Sequence, residues 1–229
     1  MKLELLDAYN IRARLSASII LLAPIAVTVF LCCEEVMDIA SSSVFLGILL
    51  AFTNYIPILQ RRINSRKTTH INYAAQLLYV SNTTLDPTTK KRFYKKLATL
   101  DSAFACFENP DDSDAFHACC NSAIVYLRNR TRNNHLVQEE NINYGFIKNL
   151  LASKPLGIAL CLLLEVAVVS FSLFTFSSLS AIPSQNYFAI CFNLFMLVFW
   201  VWGVNQKTLE STAVQYATAL ISAIDSFDT

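Results

Sequence analysis

One uninterrupted apolar segment, residues 156–179, constrains this chain more than any other feature of its sequence. It reads LGIALCLLLEVAVVSFSLFTFSSL and carries a single charged residue, Glu165, near its middle. A helix needs about 20 apolar residues to cross the hydrocarbon core of a bilayer, and this segment is longer than that. So long an apolar run is not expected in a soluble domain and indicates a transmembrane helix. The sequence therefore predicts a membrane-spanning helix here.

Three other apolar segments, residues 15–33, 39–59 and 187–204, predict further spans. Only 15% of the residues are charged, against about 25% in an average soluble domain, so the chain is poor in groups that favour water. With 4 Gly and 6 Pro it also has few residues for the many turns of a β fold. We predict an all-α membrane protein with four transmembrane helices in two hairpins and a cytoplasmic helical insert.

The distribution of positive charge predicts the orientation. Most of the 18 Lys and Arg lie between Arg61 and Lys154, and the links at 34–38 and 180–186 contain none. Because positively charged loops stay in the cytoplasm, the insert and both termini are expected inside the cell, with the spans in the inner membrane. The predicted parts are an N-terminal helix with the first hairpin (1–60), a cytoplasmic helical domain (61–155), the second hairpin (156–205) and a C-terminal amphipathic helix (206–229).

Apolar residues recur at helical spacing within the insert and in the tail. In the insert, the predicted apolar stripe consists of Phe93, Leu97, Leu100, Phe104 and Phe107. Thr84 or Asp86 is expected to cap a helix that has Pro87 in its first turn, and Ser113 or Asp114 to cap the next one. The tail helix carries an apolar stripe, so we expect it to pack on the cytoplasmic domain or on a neighbouring subunit.

The cysteines do not form a disulfide pattern. Seven is an odd number, and the spacing is irregular. Cys106, Cys119 and Cys120 lie in the predicted cytoplasmic insert, where thiols are kept reduced, so we expect free thiols at these three positions.

Glu165 is the most specific chemical feature of the spans. A carboxylate near the bilayer centre costs roughly 2.5–3.5 kcal/mol on insertion scales, so it usually faces a bundle interior or water. Asn193 can reach a similar depth from the predicted neighbouring span. Two interpretations stay open. One is a polar seam that lines an oligomeric pore or acts as a gate; the other is a protonated Glu hydrogen-bonded to Asn193 or to a Ser, which would hold helices together.

Two basic clusters make the insert a candidate for binding a partner or a signal. The cluster KKRFYKK at 90–96 can hold nucleic acid through phosphate contacts and stacking, but it is also typical of the solvated side of an amphipathic helix. The cluster RNRTRNNH at 128–135 can equally be a basic face attracted to anionic lipid head groups. The residues assigned to binding are Lys90, Lys91, Arg92, Lys95, Lys96, Arg128, Arg130, Arg132 and His135.

Motifs that carry enzyme chemistry are missing from the sequence. It has no phosphate-binding loop, no Gly-rich dinucleotide turn, no G-x-S-x-G and no H-E-x-x-H. His117, Cys119 and Cys120, together with Cys106, do not have the paired spacing of a zinc site. We therefore expect no metal, no cofactor and no catalytic residue, and we interpret the protein as not an enzyme.

Three short strings resemble known families. The Arg and His of residues 128–135 resemble the signature of HEPN ribonucleases, in which such residues act on an RNA phosphodiester. The strings NIRAR at 10–14 and ENINYGFIKNL at 140–150, with the predicted layout of two hairpins around a helical insert, resemble small bacterial membrane proteins of antiphage defence cassettes. That resemblance implies a membrane protein that acts on the envelope, or holds a complex there, after a cytosolic partner detects infection.

The second of the strings that resemble defence proteins lies where a cytoplasmic helix is predicted to meet the membrane. Tyr144, Gly145, Phe146 and Lys148 are the residues we assign to coupling. Gly145 allows a bend or a close contact, and Lys148 suits the head-group region. Motion of the insert is expected to reach Glu165 through this segment.

These features together favour an oligomeric membrane effector or sensor of bacterial antiphage defence, which perturbs or signals at the inner membrane when its cytoplasmic domain engages a partner or signal. The alternative is a non-enzymatic membrane scaffold that recruits a cytosolic nuclease or ATPase. A third interpretation is a membrane-tethered HEPN-like ribonuclease. The expected partners are the lipid bilayer, further copies of the chain, a cytosolic protein and, through the basic insert, nucleic acid.

Overall fold

The computed structural model describes residues 9–32, 47, 48, 51, 55, 58 and 72–227. This part of the chain is helical and contains no strand. Its α-helices are α1 (Ser16–Cys32), α2 (Tyr73–Leu77), α3 (Pro87–Leu100), α4 (Asp114–Arg130), α5 (His135–Thr175), α6 (Ser184–Val198) and α7 (Gln206–Ser222). Shorter helical turns are the π-helical Asn10–Leu15 and Phe199–Gly203 and the 3₁₀ segments Ser102–Glu108, Leu179–Ala181 and Ala223–Ser226.

Three helical stretches are long and apolar enough to cross a membrane: Asn10–Cys32, His135–Thr175 and Ser184–Gly203. The prediction of an all-helical protein with membrane-spanning helices is confirmed at this level. Residues 1–8 of the predicted N-terminal helix and most of the predicted span 39–59 lie outside the described residues. The count of four spans and the layout in two hairpins therefore stay predictions.

Large apolar side chains cover the outer faces of these stretches. Phe174 is 92% exposed, and Leu163, Val166, Phe188 and Phe195 are also well exposed. In water such a surface would be an aggregation hazard, whereas hydrocarbon accommodates it without cost. The exposed apolar residues are therefore what a membrane-spanning unit requires.

The chain divides into two compact units. The first, called here the membrane unit, comprises the described residues of Met1–Lys67 and Gly145–Leu209; the second, the lobe, comprises those of Thr68–Tyr144 and Glu210–Thr229. One division lies between Tyr144 and Gly145, within α5, and another between Leu209 and Glu210, within α7. The predicted boundary at 155 also lies within α5, and the predicted domain bounds stay predictions.

The core of the membrane unit joins three helices. Ala17 and Leu21 of α1 pack with Cys161 of α5 and with Met196 and Trp200 at the end of α6. Pro24 lies inside α1 and does not end it, which membrane helices tolerate. Pro155 likewise lies inside α5, which continues through it.

A close helix contact is built around Gly157 of α5. A Cβ atom at this position would overlap the ring of Trp200, whose side chain is fully buried. Only hydrogen at Cα leaves room for the indole, which is the way small residues let membrane helices approach each other. Lys154, one turn earlier, donates to the carbonyl oxygens of Val201 and Val204 at 2.9 and 2.7 Å and so satisfies the end of the neighbouring helix.

The lobe has an aromatic core of its own. Phe93 and Leu97 of α3 pack with Phe104 and Phe107, as the predicted stripe requires, and α4 adds Phe116, Cys120, Ile124 and Leu127. Asp86 and Ser113 prove to be the caps, since their side chains accept from the backbone N–H of Thr89 (2.9 Å) and of Phe116 (3.2 Å). The tail helix packs on this core through Ala217, Leu220, Ile221 and Ile224, which confirms the first of its two predicted locations.

The expectation of free thiols is wrong at two of three positions. Cys106 and Cys119 form a disulfide, while Cys120 is a free, buried thiol whose pKa burial raises to about 12. The 3₁₀ segment that holds Cys106 folds back on α4, which brings together sulfurs that are 13 positions apart in the sequence. This packing is tertiary, so the spacing of the cysteines did not reveal it.

We expect reduction of the Cys106–Cys119 bond to destabilise the lobe by about 2–3 kcal/mol, because a disulfide that closes a loop of about 15 residues restricts the unfolded chain by roughly that amount. Denaturant unfolding of the purified chain with and without reductant would measure this. Cys106→Ser in oxidising buffer should match the reduced wild type, and equal stability in all samples would contradict the bond.

Replacing Gly157 by Ala tests the contact with Trp200. Ala favours a helix over Gly by about 1 kcal/mol, but overpacking a filled site costs typically 1–3 kcal/mol. We expect a net loss of stability in thermal unfolding of the detergent-purified protein and recovery when Trp200→Phe is added. Gly47→Ala, where a new Cβ meets no atom within 4 Å, is the control and should lose nothing.

Candidate functional site

A cavity of about 1070 Å³ lies within the lobe, on one side of α3. Its walls are one face of α3, the turn that precedes it and the chain just after the 3₁₀ segment. Ligand cavities typically measure about 300–1,000 Å³, so this one is large enough for a small organic molecule. The lining residues are Val80, Asn82, Thr83, Leu85, Pro87, Thr88, Lys90, Lys91, Arg92, Tyr94, Lys95, Ala98, Thr99, Phe107, Glu108 and Pro110.

Lys90 is a buried cation in the wall of this cavity. Its side chain is only 7% exposed, and its ammonium donates to the backbone oxygen of Tyr79 at 2.8 Å and to that of Asn82. Both partners are neutral, and no carboxylate pairs with this ammonium in the described part of the chain. Burial therefore lowers the pKa of Lys90, because the charged form has lost hydration without gaining a counterion.

The other cations of the 90–96 cluster have separate roles. Lys91 and Lys95 line the cavity one helical turn apart, and both side chains are exposed. Arg92 also lines it but forms an ion pair with Asp225 at 2.7 Å. Lys96 donates to the backbone oxygen of Asp225 at 3.0 Å and is not among the lining residues. Four of the five predicted binding residues of this cluster thus come together at one cavity.

The two aromatic residues of the same cluster belong to the lobe core. Phe93 is buried, and Tyr94 donates its hydroxyl to the backbone oxygen of Leu78 while its ring packs against Phe107 at a centroid distance of 5.5 Å. Phe93 does not line the cavity and Tyr94 contributes only to its wall, so the two rings do not form an exposed surface for stacking along a nucleic-acid strand, which corrects that part of the sequence interpretation. Tyr94 and Phe107 instead give the cavity an apolar wall.

The 128–135 cluster lies at the junction of α4 and α5, and none of its residues lines the lobe cavity. Arg130 lies over the ring of Phe227 at 5.5 Å, and Arg132 donates to the side chain of Asn129 at 3.3 Å. His135 is 88% exposed and lies 3.8 Å from Glu139, one turn later. Arg128 is exposed on α4. Ribonuclease activity stays a prediction from the sequence that this arrangement does not favour.

Asn193 is paired with a different partner from the one predicted. It is almost fully buried, and its amide donates to the hydroxyl of Thr28 on α1 at 3.1 Å. The reason is that α6 packs directly on α1. A second contact of this kind joins Asn186 of α6 to Ser172 of α5 at 2.9 Å. These bonds agree with the interpretation of polar residues as links between helices.

Glu165 is the one carboxyl group among the buried polar side chains that lack a hydrogen-bond partner in the described part of the candidate spans beyond Pro155; Ser153 and Trp200 also each have a buried polar atom without a partner. Glu165 is partly buried on α5, and its Oε2 atom is enclosed with no hydrogen-bond partner among the described residues. The predicted bond to Asn193 is therefore not formed in this structure. A charged carboxylate is costly in apolar surroundings, so such a group is accommodated when it is protonated or when another molecule supplies a hydrogen bond.

The four predicted coupling residues fall on both sides of the division in α5. Tyr144 belongs to the lobe and stacks on Tyr216 at a centroid distance of 6.0 Å. Gly145 belongs to the membrane unit, where an added Cβ would lie 2.5 Å from the hydroxyl of Tyr9. Phe146 packs on the membrane-unit core, and Lys148 is half-buried. The coupling role itself stays a prediction.

Sequence reasoning missed several contributors to these sites. Asn82, Thr83 and Thr88 line the cavity from the turn before α3 and from its first turn. Thr28 is a single polar residue in an apolar segment, and this is the signal that could have identified it, whereas Ser172 is one of several Ser and Thr residues in its segment. For the cavity residues no such signal exists, because their proximity depends on how the turn folds back over α3.

The fold and the cavity together define an all-helical protein with candidate membrane spans and a separate lobe that contains a basic, apolar-walled cavity. Comparisons of this chain with protein-family models, curated proteins and solved structures gave no match.

Two double-mutant cycles distinguish the observed partner of Asn193 from the predicted one. We expect Thr28→Val and Asn193→Leu to show a coupling energy of about 0.6–1.7 kcal/mol, the range for hydrogen bonds between membrane helices. Glu165→Leu and Asn193→Leu should be additive within about 0.5 kcal/mol. The measurement is unfolding of the detergent-purified variants. Stronger coupling in the Glu165 cycle would contradict the arrangement described here.

Proposed function

We propose that this protein is a membrane-anchored sensor and effector: the lobe engages a signal or partner, and the spans assemble into an oligomer that perturbs the membrane. The observation that carries this proposal is the cavity of the lobe, where Lys90, Lys91, Arg92 and Lys95 gather around an apolar wall. A scaffold that only holds a partner at the membrane has no need of an internal cavity of ligand size.

The membrane part of the proposal is supported by the composition and the faces of the helices. Three described stretches are long and apolar enough to span a bilayer, and their outward side chains include Phe174, Leu163 and Val166. The paucity of Lys and Arg in the short links favours an inner-membrane protein with both termini and the lobe in the cytoplasm, whereas the Cys106–Cys119 disulfide of the lobe is a feature that is rare in that compartment. The resemblance to membrane proteins of antiphage cassettes suggests infection as the occasion for the signal.

Glu165 supports an oligomeric effector within this proposal. A carboxyl group with an enclosed oxygen and no partner among the described residues is costly in an isolated bundle. A second copy of the chain that supplies a hydrogen bond at this depth would remove the cost, and so would water in a pore between copies. In both cases the group favours assembly of the spans.

Dye influx into bacteria that express the chain tests the effector role. We expect the induced wild type to admit propidium and Glu165→Leu to reduce influx at least tenfold at equal amounts in the membrane fraction. Val166→Leu changes the adjacent, well-exposed residue on the same helix and should behave as wild type. Equal influx in Glu165→Leu would remove Glu165 from the mechanism.

The same assay separates the effector from the scaffold alternative. A scaffold would reach the membrane fraction without raising influx in any variant, whereas an effector raises it in the wild type and in Val166→Leu. Recovery of the wild-type chain as a soluble monomer from washed cells, without detergent, would contradict both.

A further inference from the structure

We propose that the lobe cavity binds a phosphorylated organic molecule of about nucleotide size, with its phosphate near Lys90, Lys91 and Lys95 and its apolar body against Tyr94 and Phe107. This inference rests on the proposed function, because it names the class of signal that the lobe receives. It is carried by the charge of the cavity wall, by the buried ammonium and by the apolar remainder of the lining.

The buried ammonium of Lys90 is the first argument. An ammonium has three N–H donors, and two of them are used by the carbonyl oxygens of Tyr79 and Asn82. The third has no acceptor among the described residues, although the side chain is more than nine-tenths buried and lines the cavity. Leaving a buried donor of a charged group unused is unfavourable, so an anionic acceptor placed in the cavity would complete its hydrogen bonds.

The balance of charge around the cavity is the second argument. The lining includes Lys90, Lys91, Arg92 and Lys95 but a single carboxylate, that of Glu108. Arg92 is already neutralised by Asp225 at 2.7 Å. Lys91 and Lys95 have no ion pair with an acidic side chain in the described part of the chain. Three ammonium groups that face one cavity favour a group with more than one negative oxygen, which phosphate supplies.

The N-terminus of α3 does not explain why the cavity would prefer an anion, because Asp86 already caps that end of the helix. Asp86 is adjacent to the first turn of α3, and its carboxylate accepts from the N–H of Thr89 at 2.9 Å. The N-terminus of α3 is therefore already capped by a negative group, and the helix dipole is compensated from within the chain. The side-chain ammonium groups, and not the helix end, make the site.

The apolar wall is the third argument, and it determines the rest of the ligand. Tyr94, Phe107, Leu85, Val80 and Ala98 contribute much of the lining, and a volume of about 1070 Å³ is far more than a phosphate ion fills. A ligand that is only an inorganic anion would leave this surface in water. An aromatic or aliphatic body attached to the phosphate buries it, while Asn82, Thr83 and Thr88 offer polar contacts for orientation.

Two sources supply this chemistry: a soluble nucleotide and an anionic lysophospholipid. The full chain purified in detergent is titrated with ATP or ADP in one arm and with lysophosphatidic acid in the other, and bound molecules are counted by native mass spectrometry. The phosphate-free counterparts are adenosine and monooleoylglycerol, and inorganic phosphate is added alone as a third control. We expect one arm to bind at least tenfold more tightly than its phosphate-free counterpart and than inorganic phosphate.

Variants test whether binding occurs in this cavity. The double variant Lys91→Met and Lys95→Met changes exposed side chains, so the lobe should fold and affinity should fall at least tenfold. The control is Lys207→Met, which removes an exposed cation that does not line the cavity and should stay within twofold of wild type. Lys90→Met should lose binding most strongly, with circular dichroism as the check that the helices persist.

The outcomes are decisive in both directions. Binding of neither nucleotide nor lysophosphatidic acid, equal binding of the phosphate-free compounds, or unchanged affinity in the Lys91 and Lys95 double variant would each overturn the inference. Dye influx that persists in cells while the purified chain binds none of these probes would overturn the ligand class and leave the effector role standing. Binding without influx would overturn the effector role alone.

Discussion

Hydrocarbon offers polar groups no hydrogen-bond partner, and the membrane unit is arranged around that constraint. Three of its buried polar side chains form hydrogen bonds to another helical segment. Asn149 of α5 donates to the backbone oxygen of Ala13 at 2.8 Å, Asn193 of α6 donates to Thr28 of α1, and Asn186 donates to Ser172. Single bonds of this kind contribute about 0.6 kcal/mol on average, but together they fix which helix faces are in contact.

The lobe follows a different rule, because water is available to it. There the apolar aromatic residues fill the interior, and charged groups stay at the surface unless a specific arrangement holds them. Lys90 is the exception, since its ammonium is enclosed and held by two carbonyl oxygens. A buried charge without a counterion lowers stability, so its presence is explained better by what the cavity binds than by what the fold needs.

The sequence predicted those features that depend on local pattern. The helical class, the apolar spans, the cap at Asp86 and the stripe that includes Phe93 and Leu97 follow from periodicity and from capping chemistry, which act over a few residues. The membership of Lys90, Lys91, Arg92 and Lys95 in one site was predicted from their adjacency. What makes it a cavity, the turn at 80–86 and the chain at 107–110, depends on long-range packing and could not be read from spacing.

The predictions that proved wrong have the same cause. One of the two interpretations of Glu165 offered it Asn193 or a Ser as a hydrogen-bond partner because of their similar depth, whereas Asn193 donates to Thr28 because α6 packs on α1. The disulfide between Cys106 and Cys119 depends on the fold of the 3₁₀ segment against α4. Depth in the bilayer and spacing in the sequence limit which residues can be partners, but the packing between helices determines which partner is actually in contact.

The composition of the lobe core from two separated stretches of chain has a consequence for biosynthesis. Residues 68–144 emerge from the ribosome first, but the core that they form is closed by Ala217, Leu220, Ile221 and Ile224, which are translated after the whole of 145–209. The apolar stretches within 145–209 are therefore synthesised while the lobe still exposes the surface that α7 will cover. Completion of the lobe is thus a late event that follows the synthesis of residues 145–209, and until then the partial lobe exposes apolar surface that favours aggregation.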